Sequence, residues 1–505
     1  MKISNVSSPA LASIIFVLHS HLPYLKAPGT KDSIEETWLY EAIIESYVPL
    51  IFSFERLINK GVSFKFVLSL SPTLLEMLNN QYLQKGLNRY LERLEDLAGL
   101  EEKRSHQFGE VVQFYRKRLK EIGDFLRKRR LTEAFKELKE RGNIDLITTT
   151  ATHAYLPLFS AYPWVLEEQI RGGIEIFKKY VGGNVTGLWL PECGYFRGLF
   201  EYLKKFHIDW TVLEGHGIAF GTPRPETGIF RPVRSPEGVL VFPRDSEACK
   251  QVWSREAGYP GNVWYRDFYK DVCYELNDSD WKRFRPDGIR HHTGLKYWRI
   301  TGRERKEPYI RQRAIQQVDS DARHFVEFLK KRAIMANRIT DWWRSNSDPV
   351  IVLAFDTELF GHWWFEGPEW LEKVFELISK TNELRLALPE EIIFSPITFK
   401  EIDPLPSSWG EGGFNNTWVS QENSSYLRFI YRATELVDIL LKKYAQYPER
   451  KRWRSTVWKA LMRELFFLQS SDFLFMIKRS DSSSSYAEKR LKEHLQRIER
   501  ILKNF

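Results

Sequence analysis

Ile351–Gly367 reads IVLAFDTELFGHWWFEG. Five apolar residues run unbroken into Asp356 and Glu358, and a Gly361-His362-Trp363-Trp364 turn follows. An apolar run of this length is the mark of a strand covered on both faces, as strands of a parallel sheet are. A carboxylate at its C-terminal end, with aromatic rings just beyond, offers an acid in a dry pocket and flat faces for pyranose rings. The same residues also suit a capped strand end with two core tryptophans, so the rest of the chain has to decide.

Working outward, the same arrangement recurs. Ala10–Leu18, ALASIIFVL, is a first buried strand leading to His19 and His21, and Phe64–Leu70 is a second. Between them a helix is expected from a Ser33-x-x-Glu36 capping box to about Asn59. Residues 73–141 turn helical and heavily charged, as in YRKRLKEIGDFLRKRR, which predicts a helical insertion on the sheet. Strands at Ile144–Thr148 and Gly187–Leu190 then lead to His153 and Glu192, with helices at Trp164–Val181 and Gly198–Phe206 and a strand at Trp210–Leu213. Alternation with functional-looking residues at strand C-termini argues for a parallel α/β barrel or open sheet. Residues 222–306, rich in Pro, Gly, Arg and Tyr, read as long loops over the site. A helix over Ala314–Ser345 precedes the Ile351 strand, and another over Glu369–Lys380 follows. From residue 404 a Gly- and Trp-rich loop, SSWGEGGFNNTW, introduces at least three helices, expected to form a C-terminal domain whose leading loop reaches back to the sheet.

Composition narrows the function. The 43% of apolar residues fill large cores, and the net charge of +9 is spread among abundant acids, which fits a solvated, heat-adapted surface better than a nucleic-acid partner. Aromatic residues make up 14%, with 17 Trp, more than a core requires and apt for a carbohydrate groove. Cys193, Cys249 and Cys273 form no paired framework, which favours a reducing cytoplasm. No apolar run approaches a membrane span, and no phosphate-loop, dinucleotide or serine-hydrolase signature accompanies a suitable strand and helix.

Two carboxylates stand out. Glu192 and Asp356 both end apolar strands, so a parallel topology can bring them together, as a retaining glycosidase requires. His19, His21, His153 and His362 fall at strand ends; a His-x-His pair on a strand permits zinc, while neighbouring Tyr, Trp and Pro favour sugar hydroxyls. Trp253, Trp363, Trp364, Trp409 and Trp418 sit in Gly-containing loops and either stack on a ligand or seal an interface.

Taken in order, HSHLPY, ITTTATHAYLPL, GLWLPECGY, AFDTELFGHWWFEG, SSWGEGG and LQSSD resemble the motifs of glycoside hydrolase family 57, in particular its branching-enzyme-like members, over nearly the whole chain. The resemblance implies an incomplete (β/α)7 barrel (residues 1–72 and 142–400), a helical insertion (73–141) and a C-terminal helical domain (401–505). It implies retaining action on α-1,4-glucans without metal or other cofactor, with Glu192 as nucleophile and Asp356 as acid and base. His19, His21 and His153 would hold hydroxyls, Trp253, Trp409 and Trp418 would line subsites, and Asp472 would lie close by. His362, Trp363 and Trp364 become an expected wall of the cleft, and Glu358 a supporting residue. Branch formation is the leading expectation; an α-amylase, a 4-α-glucanotransferase and a glucan-binding protein without turnover are the rivals.

Three departures stand out. Trp298 replaces a histidine in Lys296–Gly302, Phe473 replaces a tryptophan after Asp472, and Thr227 stands where a loop tyrosine is expected. Loss of an aromatic lid at Thr227 predicts weak exclusion of water and a high share of hydrolysis.

Overall fold

The computed structural model describes residues 10–25, 33–104, 108–254, 257–285, 287–302, 306–342, 348–445 and 456–503. Its strands are β1 (Ala12–Ser20), β2 (Phe66–Leu70), β3 (Ile144–Ile147), β4 (Gly187–Leu188), β5 (Trp210–Glu214), β6 (Val233–Arg234), β7 (Leu240–Arg244), β8 (Val350–Asp356) and β9 (Leu384–Leu386). Seven of them form one path in the order β3-β2-β1-β8-β7-β5-β4, and every neighbouring pair is parallel. A bridge from Thr148 to Leu188, with the Trp189 N–H donating to Thr148 O at 2.8 Å, joins the two ends. The sheet is thus a nearly closed seven-stranded parallel barrel.

Ile15, Val17, Val67, Ile147, Trp210, Val212, Phe242 and Val352 point inward and fill the barrel. Alternate residues such as Ile14, Phe16, Leu68 and Leu353 face a second, larger core beneath the surrounding helices. Every residue of β1 is buried, which explains its lack of polar alternation. Residues 73–141 supply helices Gln81–Arg104, Gly109–Lys128 and Leu131–Glu140, and the C-terminal part supplies Ser424–Ala445, Thr456–Leu468, Ser471–Arg479 and Ser482–Lys503.

Several expectations need correction. The stretch 222–306 is not all loop: it holds the barrel strand β7, its antiparallel partner β6 and the helix Ser246–Trp253. The cause is Pro243, which brings no N–H to a ladder and so disguises a strand; β7 also meets β8 only at Arg244↔Val352. Ser33 does not cap its helix, which begins at Glu36 without a side-chain cap; the Ser33 carbonyl accepts the Glu36 N–H instead. That helix is broken by a π-helical turn, Ala42–Tyr47, before resuming as Val48–Asn59. The long helix before β8 runs Arg311–Trp342, and part of its expected end lies outside the described residues.

The segment bearing Thr227 is not a lid over the carboxylates. Thr227 lines a cavity with Asp348, Val350, Ile392 and Phe399, and Glu226 pairs with Lys400 at 2.9 Å. Val350 begins β8 and Asp356 ends it, so the two places are separated by roughly 20 Å of strand. Pairing of Val233 with Val241, and the Val350 N–H to the Phe230 carbonyl, draw the segment along the barrel wall, which sequence correspondence alone does not convey.

Candidate active site

Parallel register sets the first contacts. His19 is paired with Asp356 across β1 and β8 and with Ser69 across β1 and β2. Glu192 follows β4 in a short 3-10 turn and has φ 62° and ψ 21°, with Cys193 at φ 51°. His153 is also left-handed, at φ 56°. Such conformations cost non-glycine residues about 1–3 kcal/mol each, and here they aim side chains inward from strand ends.

Glu192 is held by the C-terminal part of the chain. Trp409 Nε1 donates to its Oε2 at 2.7 Å, and Ser471 Oγ donates to its Oε1 at 3.0 Å. Ser471 Oγ lies 2.9 Å from His153 Nδ1, His153 Nε2 lies 3.0 Å from His19 Nε2, and His19 Nδ1 lies 3.0 Å from Ser69 Oγ. Burial, with the charge of His21, holds both His19 and His153 well below the usual imidazole range, so both are neutral. One proton order then satisfies the run: Ser69 donates to His19, His19 to His153, His153 to Ser471, and Ser471 to Glu192. Neither His19 nor His153 retains a ring nitrogen for a sugar hydroxyl. The run links both histidines to Glu192 through Ser471.

Asp356 sits differently. Among the described residues no side chain donates to its carboxylate. Burial, then the charges of Glu358 and Glu192, push it well above the usual carboxylate range against the pull of Arg244. Glu192 is also raised by burial, but the Trp409 and Ser471 hydrogen bonds oppose the shift. Glu358 is raised to about 7, chiefly by burial. Asp472 accepts from His21 Nε2, 3.0 Å from each oxygen; burial would raise it, but the His21 charge prevails and holds it low. His21 in turn stacks on His153 at 3.9 Å between ring centroids.

The tryptophans divide. Trp409 touches Glu192 and packs on Trp189, with ring centroids 5.0 Å apart. Trp363 is 45% exposed and stacks on Phe268 at 4.6 Å. Trp364 and Trp418 are sealed in: Trp364 lies among Tyr265, Phe360 and Trp370, and Trp418 stacks on Tyr155 at 4.1 Å. Each shows 1% of its surface and has no face to offer a ligand. Trp253 ends a helix rather than sitting in a loop, and it is half exposed. His362 pairs through Nδ1 with Glu45 at 3.3 Å. Trp298 donates to Glu275 at 2.7 Å, and Phe473 is buried beside Tyr486 and His494.

Sequence reasoning missed Ser69, Ser471, Glu45, Tyr47 and Arg244. Glu45 had a signal, a lone acid within the apolar run AIIESYVPLIF. His21, His153 and Asp472 could each offer a metal one ligand atom, all within 4.8 Å of one another. His21 Nε2 and both His153 nitrogens already bond to Asp472, Ser471 and His19, whereas His21 Nδ1 is buried without a hydrogen-bond partner.

Replacing Trp409 with phenylalanine keeps the ring and deletes the donor to Glu192. The expected result is a kcat lower by about 10- to 100-fold with little change in KM, read from initial rates on amylose.

Comparison with known proteins agrees with this architecture. The model of glycosyl hydrolase family 57 matches residues 15–403, and one described as 1,4-alpha-glucan branching enzyme, C-terminal, matches residues 430–505. A 1,4-alpha-glucan branching enzyme of Thermococcus kodakarensis is 30% identical over 97% of this chain and 73% of its own. The structure of an alpha-amylase from Thermotoga maritima superposes with a TM-score of 0.87 at 35% identity, covering 97% of this chain and 93% of that one. A family 57 branching enzyme from Pyrococcus horikoshii gives 0.84 at 30% identity, covering 96% and 88%. The chain belongs to glycosyl hydrolase family 57.

Proposed function

We propose that this chain is a retaining enzyme acting on α-1,4-glucans, of 1,4-α-glucan branching type. One observation carries the reading: two half-buried carboxylates stand at the strand ends in contrasting surroundings, Glu192 gripped by two donors and Asp356 by none. Such a division separates a nucleophile from a proton donor. Asp356, protonated, gives its proton to the glycosidic oxygen as Glu192 attacks the anomeric carbon and the leaving chain departs. The glycosyl–Glu192 ester is then displaced by the 6-hydroxyl of an acceptor glucan, whose proton passes to Asp356, restoring both groups. Two inversions at one carbon give net retention. None of these steps calls for a cofactor.

An α-amylase reading has its own support in the likeness to the Thermotoga enzyme, and it differs only in that water completes the second step. With Thr227 at the far end of β8, the expected loss of a lid there no longer bears on that choice. Incubation with amylose, followed by counting reducing ends before and after debranching, separates the two. Branching predicts few new ends at first and many after debranching. Hydrolysis predicts many at once and no increase, which would overturn the branching assignment. No described helix is long and apolar enough to cross a membrane. Three buried, unpaired cysteines support a cytoplasmic location, and ion pairs such as Arg129–Glu137 at 2.6 Å support heat adaptation.

A further inference from the structure

The π-helical turn Ala42–Tyr47 grips the turn after β8 with three consecutive side chains. Glu45 lies 3.3 Å from His362 Nδ1. Ser46 Oγ donates to the Glu358 carbonyl at 3.4 Å and accepts the His362 N–H at 3.1 Å. Tyr47 OH donates to Glu358 Oε1, which also accepts the His21 N–H at 3.2 Å. In a regular α-helix, consecutive residues do not share a face. The wider π turn lets residues 45, 46 and 47 all meet one target, and such turns gather at functional sites.

We propose that Tyr47 and Glu358 are a positioning pair for the proton donor: Tyr47 and the His21 N–H fix the Glu358 carboxylate on the turn two residues beyond Asp356. The inference rests on Asp356 acting as the acid. Asp356 faces Glu358 on its own turn, Glu192 from the loop after β4, Arg244 from β7 and Asp472 from the C-terminal helices. Glu358 faces Tyr47 from the π turn and His21 from the end of β1. After burial, Glu358 is the largest influence on Asp356, ahead of Glu192. Glu358 itself titrates near neutrality, and the Tyr47 hydrogen bond pulls it downward against burial.

The direction follows. Tyr47→Phe removes a donor, so Glu358 stays protonated to higher pH. Less negative charge then faces Asp356, which releases its proton at lower pH. Glu358→Gln removes the charge outright and works in the same direction. The experiment is the pH profile of kcat/KM on amylose for the whole chain and both variants, with kcat and KM resolved at pH 7. Expected is a basic limb moved to lower pH by about one unit, with kcat down about tenfold and KM within twofold. An unmoved limb in both variants, whether or not kcat falls, makes the pair merely structural and overturns the proposal. A rise in KM at constant kcat overturns it too. An unsubstituted chain without turnover refutes the functional reading itself and this role with it, a result distinct from an active enzyme whose limb stays fixed.

Discussion

Replacing Glu192 with alanine lowers kcat on amylose by on the order of 10⁴-fold or more, because no other group stands ready to form the glycosyl ester. The vacated space is flanked by Trp409 and Ser471, two donors that bonded the lost carboxylate. A small external anion such as azide therefore restores part of the rate, and it yields a glycosyl azide of inverted configuration, detectable by proton NMR. Replacement of Asp356 with asparagine is equally damaging on amylose. Its signature differs, since a substrate whose leaving group needs no proton still glycosylates Glu192 in that variant. With Asp356 as the proposed acid of the first step and its pKa raised, kcat/KM of the unsubstituted enzyme is expected to fall as pH climbs through that raised value. That limb disappears with asparagine. Azide rescue giving a retained product would count against Glu192 as the nucleophile.

The second large effect is on folding. Gly361 has φ +116°, and a Cβ placed there would lie 1.9 Å from the Glu45 carbonyl oxygen and 2.9 Å from Ser46 Cα. Backbone does not yield as a flexible side chain does. Alanine at 361 therefore meets a strained conformation and a clash with the π turn together, and a loss of at least about 3 kcal/mol is expected. The measurement is thermal unfolding beside activity. Because Gly361 adjoins His362, whose N–H bonds to Ser46 Oγ, activity is expected to fall well below the melting temperature of the variant. A variant as stable and as active as the unsubstituted chain would show that the two turns need no such close approach.

How far the sequence spoke depended on whether a feature was local. His19, Glu192 and Asp356 were legible as strand-end residues because unbroken apolar runs lead to them, and a parallel barrel sends all such ends to one rim. Asp472 came only through its motif, since nothing in LQSSD by itself says that it meets His21. β7 was hidden by Pro243 and by its short run. The π turn was illegible because apolar periodicity tolerates one extra residue per turn. Trp364 and Trp418 read like cleft walls, but burial depends on what packs over a ring, and Tyr265 and Tyr155 do so from afar in sequence. Thr227 shows the same limit for a motif, whose place in the fold depended on pairing partners at Val241 and Val350.

The turn that carries Asp356 and the loop that carries Glu192 both precede residue 400, yet the donors on Glu192 come from Trp409 and Ser471. Glu192 precedes its second donor by more than 200 residues. The setting of the Glu192 carboxylate and the docking of the segment that carries Ser471 are therefore one event: a barrel closed on its own strands leaves Glu192 without either donor.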